Sequence, residues 1–80
     1  MRLPRDLSGT ELCRRLEPLG YRVTRQVGSH MRLTCDAAGG HHVTVPRHDP
    51  LRIGTLSAIL AAVAKAHGLT RDEVLRRLFP

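Results

Sequence analysis

Aromatic side chains are nearly missing. There is no tryptophan, and Tyr21 and Phe79 are the only rings of their kind in 80 residues. Modules that hold single strands by stacking bases on aromatic platforms need several rings on one sheet. RRM-type and ordinary OB-type binding are therefore excluded. Long apolar runs are missing too. The longest, Leu56 to Ala64, is interrupted by Ser57 and falls far short of the ~20 residues a membrane span needs. The opening Met-Arg-Leu-Pro-Arg-Asp lacks the apolar core of a signal peptide. A cytoplasmic chain with no membrane contact is expected.

Cysteine is scarce. Cys13 and Cys35 fall at apolar-periodic positions, where cysteine behaves as a small buried hydrophobe, so no disulfide is expected. Metal-ligand spacings such as C-x-x-C, H-E-x-x-H or H-x-E do not occur, and neither a metal nor another cofactor is expected. Acidic residues are in deficit. Seven Asp+Glu against thirteen Lys+Arg leave a formal charge of +6 with histidines neutral. On so small a chain this field points to a polyanionic partner, either nucleic acid or an acidic protein. Residues 1–80 have room for a single domain, and a chain of this size buries only ~60% of its unfolded surface. Clefts between domains, dinucleotide folds and barrels are excluded, so any active site is built on the surface.

The pattern along the chain predicts α-β-β-β-α with a small helical appendix. Ser8 to Leu19 reads as an amphipathic helix. It opens with a Ser8/Glu11 capping box, buries Leu12, Cys13, Leu16 and Leu19, and ends at Gly20. From Tyr21 to Val45 the period is two. Tyr21, Val23 and Val27, then Met31, Leu33 and Cys35, then Val43 and Val45 are placed on one face. Arg22, Thr24, Gln26, His30, Arg32, Thr34, His42 and Thr44 are placed on the other. Turns fall at Gly28-Ser29 and over Asp36 to Gly40, and Pro46 stops the last strand. Pro46 to Ile53 reads as a loop. A helix then runs from Gly54-Thr55 to about Ala66, with Thr55 as N-cap, a stripe of Leu56, Ile59, Leu60 and Val63, and Gly68 as its stop. Thr70 with Glu73 forms a second capping box, opening a last short helix that carries Val74, Leu75 and Leu78. The fold class is α+β, a three-stranded antiparallel meander with its helices on the apolar face and its polar face open.

Five histidines in 80 residues are the unusual presence. Histidine exchanges protons near neutrality. His30 follows Gly28-Ser29 at a tight turn on the polar face, with Arg22 and Arg32 on the same side. From the residues alone it reads either as a group that meets a phosphodiester or as an exposed turn histidine without a role. His48, in Pro46-Arg47-His48-Asp49-Pro50, reads as a solvated loop histidine or as a ring oriented by Asp49. His41 and His42 are adjacent in a strand and point to opposite faces. His67 beside Gly68 suits a helix C-terminus. Ser29 lacks the G-x-S-x-G elbow of a hydrolase nucleophile.

Five segments together resemble the HicA-type mRNA interferase toxins of type II toxin–antitoxin systems. They are Leu7-Ser8-Gly9 with Glu11-Leu12, Leu19-Gly20-Tyr21, Gly28-Ser29-His30, Val43-Thr44-Val45-Pro46 with His48, and Gly54-Thr55-Leu56 with Ile59-Leu60. Tyr21 stands where the family usually has Phe, and the tail from Ala61 is longer than in the shortest members. The resemblance implies a fold similar to double-stranded-RNA-binding domains and ribosome-independent cleavage of mRNA. It also implies a catalytic histidine at His30 and a cognate HicB-type antitoxin covering the active face. On this reading Arg22, Arg32 and Arg47 bind phosphate, Gly28 and Ser29 shape the turn, and His48 is a second proton-transfer candidate. A non-catalytic module of the double-stranded-RNA-binding type is the alternative, and a basic domain that only meets an acidic partner is a third reading.

Overall fold

The computed structural model describes residues 2–80, the side chain of Ala38 excepted. Helix α1 spans Gly9–Leu16. A three-stranded antiparallel sheet follows, β1 Tyr21–Val27, β2 His30–Cys35 and β3 His41–Pro46, in the order β1-β2-β3. Helices α2, Ile53–His67, and α3, Arg71–Leu78, complete the chain. The layout is the α+β, α-β-β-β-α architecture expected, with the last short helix added.

Local chemistry accounts for the helix ends. Ser8 caps α1, its Oγ accepting the Glu11 amide at 3.1 Å, a contact generally worth about 1 kcal/mol. The reciprocal half of the expected capping box is replaced, because the Glu11 carboxylate pairs with Arg14 at 3.1 Å and Arg15 at 3.3 Å. Glu17–Leu19 tightens into a 3₁₀ turn containing Pro18, where a missing amide proton ends the α-helical ladder. Gly20, at φ 97°, turns the chain into the sheet. In α3 both halves of the Thr70/Glu73 capping box form.

Helix α2 begins at Ile53, earlier than Gly54-Thr55, so Thr55 lies inside its first turn and is not the N-cap. Arg52 holds that position without a side-chain bond. The reason is tertiary. Leu51 is buried and donates its amide to the Leu7 carbonyl at 2.8 Å, which pins the chain immediately before the helix.

The sheet departs from strict alternation at one place. Between Val23 and Arg25 the pairing of β1 with β2 slips by one residue, leaving Thr24 without an opposed partner. Thr24 Oγ1 fills the gap by bonding the Arg32 carbonyl and Thr34 Oγ1. Before this bulge, Tyr21 and Val23 oppose Cys35 and Leu33 on the covered face. After it the parity is reversed. Gln26 opposes Met31, and Val27 opposes His30. The expectation that Gln26 shares the polar face and that Val27 faces the core is therefore corrected. Val27 is 60% exposed, and Val23, on the covered side of this outer strand, is 48% exposed.

The core lies between the sheet and the helices. Leu12 and Leu16 of α1, Leu33 and Val45 of the sheet, and Leu56 and Leu60 of α2 are all at most 1% exposed. Each such side chain generally contributes about 1.5–3 kcal/mol. Helix α3 adds Val74, Leu75 and Leu78. It is clasped to α1 by Arg15, which bonds the Leu78 carbonyl at 3.1 Å and lies 4.9 Å above the Phe79 ring. Both cysteines are buried and free.

One polar cluster interrupts the covered face. The Tyr21 hydroxyl contacts His41 Nδ1 at 2.8 Å and His67 Nε2 at 3.1 Å, with the Cys35 thiol 3.9 Å from that His67 nitrogen. His67 thus ties α2 to the sheet, a role beyond the helix dipole. Burial pushes the Tyr21 phenol up to about 12. Burial also lowers the His41 pKa, and neighbouring His67 and His42 lower it further; Lys65 lines the same shallow hollow. A histidine that protonates less readily when folded stabilises the fold above its ordinary pKa of ~6.5, and that stability is lost as pH falls through the lower folded value. The urea midpoint is therefore expected to fall between pH 7.5 and 5.5, and to fall less in His41→Gln. Equal falls in the two proteins would contradict this account.

Candidate active site

The first residue of β2 is the focus. Gly28 and Ser29 alone join Val27 to His30, and Gly28 takes φ 56°. A two-residue hairpin turn demands such a dihedral at its first central position, and glycine supplies it without strain. His30 is thereby presented at the rim of the open face, with Val27 opposite it on one side and Pro46 on the other.

The segment after β3 is fastened to this turn. The Arg47 amide donates to the Ser29 carbonyl at 2.6 Å. From the other side, the Gly9 amide donates to the His48 carbonyl at 2.9 Å. A Cβ on Gly9 would collide with the Pro46 carbonyl oxygen, so the start of α1 approaches as closely as a bare backbone permits. Gly28, Ser29, His30, Arg47 and His48 are consequently gathered at one end of the sheet, all solvent-exposed.

The open face continues in rows away from His30. The next row is Arg25, Arg32 and Thr44, and the one beyond it is Arg22, Thr34 and His42. Thr34 is only 7% exposed and bonds both Thr24 Oγ1 and His42 Nδ1 at 2.8 Å, a rigid polar floor. Arg22 belongs to this far row and is ion-paired with Asp36 at 2.8 Å. Of the arginines named from sequence, Arg32 and Arg47 lie near His30 and Arg22 does not. His48 shares the end but not a contact. Among the described residues no hydrogen bond joins its ring to His30 or to Asp49.

Arg25 was missed. It has the same parity as Val23 and Val27, so plain alternation assigns it to the core side, and only the bulge carries it to the open face. The signal present in the sequence was the unbroken polar triplet Thr24-Arg25-Gln26 inside a strand.

The arrangement combines an imidazole that can exchange protons near neutral pH with guanidinium groups suited to phosphate oxygens. Among the described residues no group of three or more His, Cys, Asp or Glu is placed to hold a metal ion, and no single helix is long and apolar enough to cross a membrane. A family model described as HicA toxin of bacterial toxin-antitoxin matches residues 9–69, well over half of the chain. That span holds α1, the whole sheet and α2, and leaves α3 outside. No curated protein and no solved structure matches the chain.

Proposed function

The chain belongs to the HicA family of toxins from bacterial toxin–antitoxin systems, and on that premise we propose that it is an endoribonuclease that cleaves mRNA at His30. The observation that carries the reading is the presentation of His30 at a Gly-Ser turn on the rim of an open, arginine-bearing sheet face. RNA brings its own nucleophile. The 2′-oxygen attacks the adjacent phosphorus, the bond from phosphorus to the 5′-oxygen breaks, and a cyclic phosphate and a 5′-hydroxyl result. The enzyme must take one proton from the 2′-hydroxyl and return one to the leaving oxygen, and His30 performs at least one of these transfers. Arg47, fastened beside the same turn, stabilises the charge that gathers on the phosphate oxygens in the transition state, and Arg32, one row away, binds the RNA backbone. No metal is required by this scheme.

A toxin of this family works against an antitoxin, and for this chain the proposed partner is of the HicB type. The site lies exposed on an open sheet face, so covering His30 is the direct way to silence it. An antitoxin face that does so would be acidic, since it competes with RNA for the same arginines.

Induced expression in bacteria without an antitoxin tests the function. The parent protein is expected to arrest growth, and His30→Ala to relieve the arrest at equal protein level. Arrest that persists in folded His30→Ala would replace catalysis with simple RNA binding as the basis of toxicity.

A further inference from the structure

The bulge in β1 produces an arrangement that the fold itself does not explain. Arg25 and Arg32 stand directly opposite one another, both exposed. Like charges opposed across a strand pair destabilise a sheet, and a guanidinium does not lose its charge in a protein. Among the described residues no carboxylate pairs with Arg25 or Arg32. Asp36 pairs with Arg22, and Glu11 with Arg14 and Arg15. Among the described residues, the side chains of Arg25 and Arg32 have no ion pair or hydrogen bond. Without the slip in register, Arg25 would point to the opposite face from Arg32. The bulge thus brings two like charges together, a cost that a bound anion would offset.

The position of the pair narrows the anion. Arg32 follows His30 by two residues on β2 and shares its face, a separation of ~6.7 Å along a strand. That is comparable to the step between neighbouring phosphates in an extended nucleic acid strand. Val27, 60% exposed, stands across from His30 and next but one to Arg25 on β1, an apolar surface for a sugar or base edge.

We infer that Arg25 and Arg32 form a two-pronged clamp for a single backbone phosphate of RNA, the one adjacent to the phosphate at His30. The identity of the polyanion rests on the ribonuclease reading above; the clamp geometry does not. Two guanidinium groups converging on one phosphate offer several charge-assisted hydrogen bonds in a fixed fork. Because such contacts reach only backbone oxygens, the clamp sets the register of the strand and carries no sequence preference.

The test measures binding separately from cleavage. Full-length protein is titrated with a 2′-O-methyl RNA oligonucleotide of mixed sequence, which has no free 2′-hydroxyl and cannot be cut. Arg25→Gln and Arg32→Gln are each expected to weaken binding about tenfold and to reduce the slope of log affinity against log salt by ~0.7. The double variant should lose less than the product of the two single losses, since both prongs hold one phosphate. Arg76→Gln, an exposed arginine of α3, is expected to change affinity about twofold or less. In the free protein, Arg25→Gln should raise the melting temperature by ~1–5 °C at low salt, a gain that fades near 1 M salt. Arg25→Gln binding no worse than Arg76→Gln, or melting below the parent, overturns the clamp. His30-independent cleavage alongside the expected binding pattern would strike the ribonuclease reading and leave the clamp standing. Unchanged binding with His30-dependent cleavage would do the reverse.

Discussion

Replacing His30 with alanine is expected to slow RNA cleavage by ~10²–10⁴-fold, the range general acid–base groups supply, while RNA affinity stays within a few-fold of the parent. The separation of the two effects follows from the structure. The His30 ring is exposed and has no hydrogen-bond partner among the described residues, so its loss leaves no orphaned group and removes little packing. The strand it begins is held by its own backbone pairs to Val27 and Pro46. The arginines proposed to bind phosphate are untouched. Single-turnover rates with labelled RNA, set beside binding to a non-cleavable analogue, give both quantities. A rate within tenfold of the parent would remove His30 from the chemistry.

An RNA bearing one 2′-deoxy nucleotide at the cut site is expected to resist cleavage at that bond altogether. This effect is larger still, because it deletes the nucleophile and not merely a group that assists it. On the remaining bonds, products should carry 2′,3′-cyclic phosphate and 5′-hydroxyl ends, and EDTA should leave the rate unchanged. The proposed chemistry asks only for proton transfer and for stabilisation of phosphate charge, which His30 and Arg47 can supply from the protein surface. Cutting of the deoxy substrate at the all-RNA rate would mean that water or a protein group attacks phosphorus, and the internal-nucleophile scheme would have to be abandoned.

The parts of this fold that could be read from sequence are those decided within a few residues. Ser8, Gly20, Gly68 and the Thr70/Glu73 box act on amides and dihedrals three or four positions away, and each does in the structure what its type implies. The turn that presents His30 is equally local. What could not be read depends on partners distant in sequence. The start of α2 is set by Leu51 bonding Leu7, and the place of Arg47 beside the turn by its bond to Ser29. The slip after Val23 is a property of the β1–β2 pair, so no periodicity within β1 alone could assign Arg25, Gln26 and Val27 to their faces. The Tyr21–His41–His67 cluster likewise unites residues from the starts of two strands and the end of a helix.

The irregular first strand has a second consequence, which concerns solubility. β1 is an outer strand of the sheet and carries two exposed valines, the kind of edge on which another chain can add itself as a further strand. A bulge that breaks the hydrogen-bonding rhythm, and charges on the strand itself, are the usual protections against such stacking. Arg22, Arg25 and the slip at Thr24 provide both. Arg25, the residue proposed to hold a phosphate, therefore also helps to guard this edge against copies of the chain adding through their sheets. Substitutions that make β1 smoother and more apolar should drive the isolated protein toward aggregation and, on the clamp proposed above, weaken RNA binding at the same time.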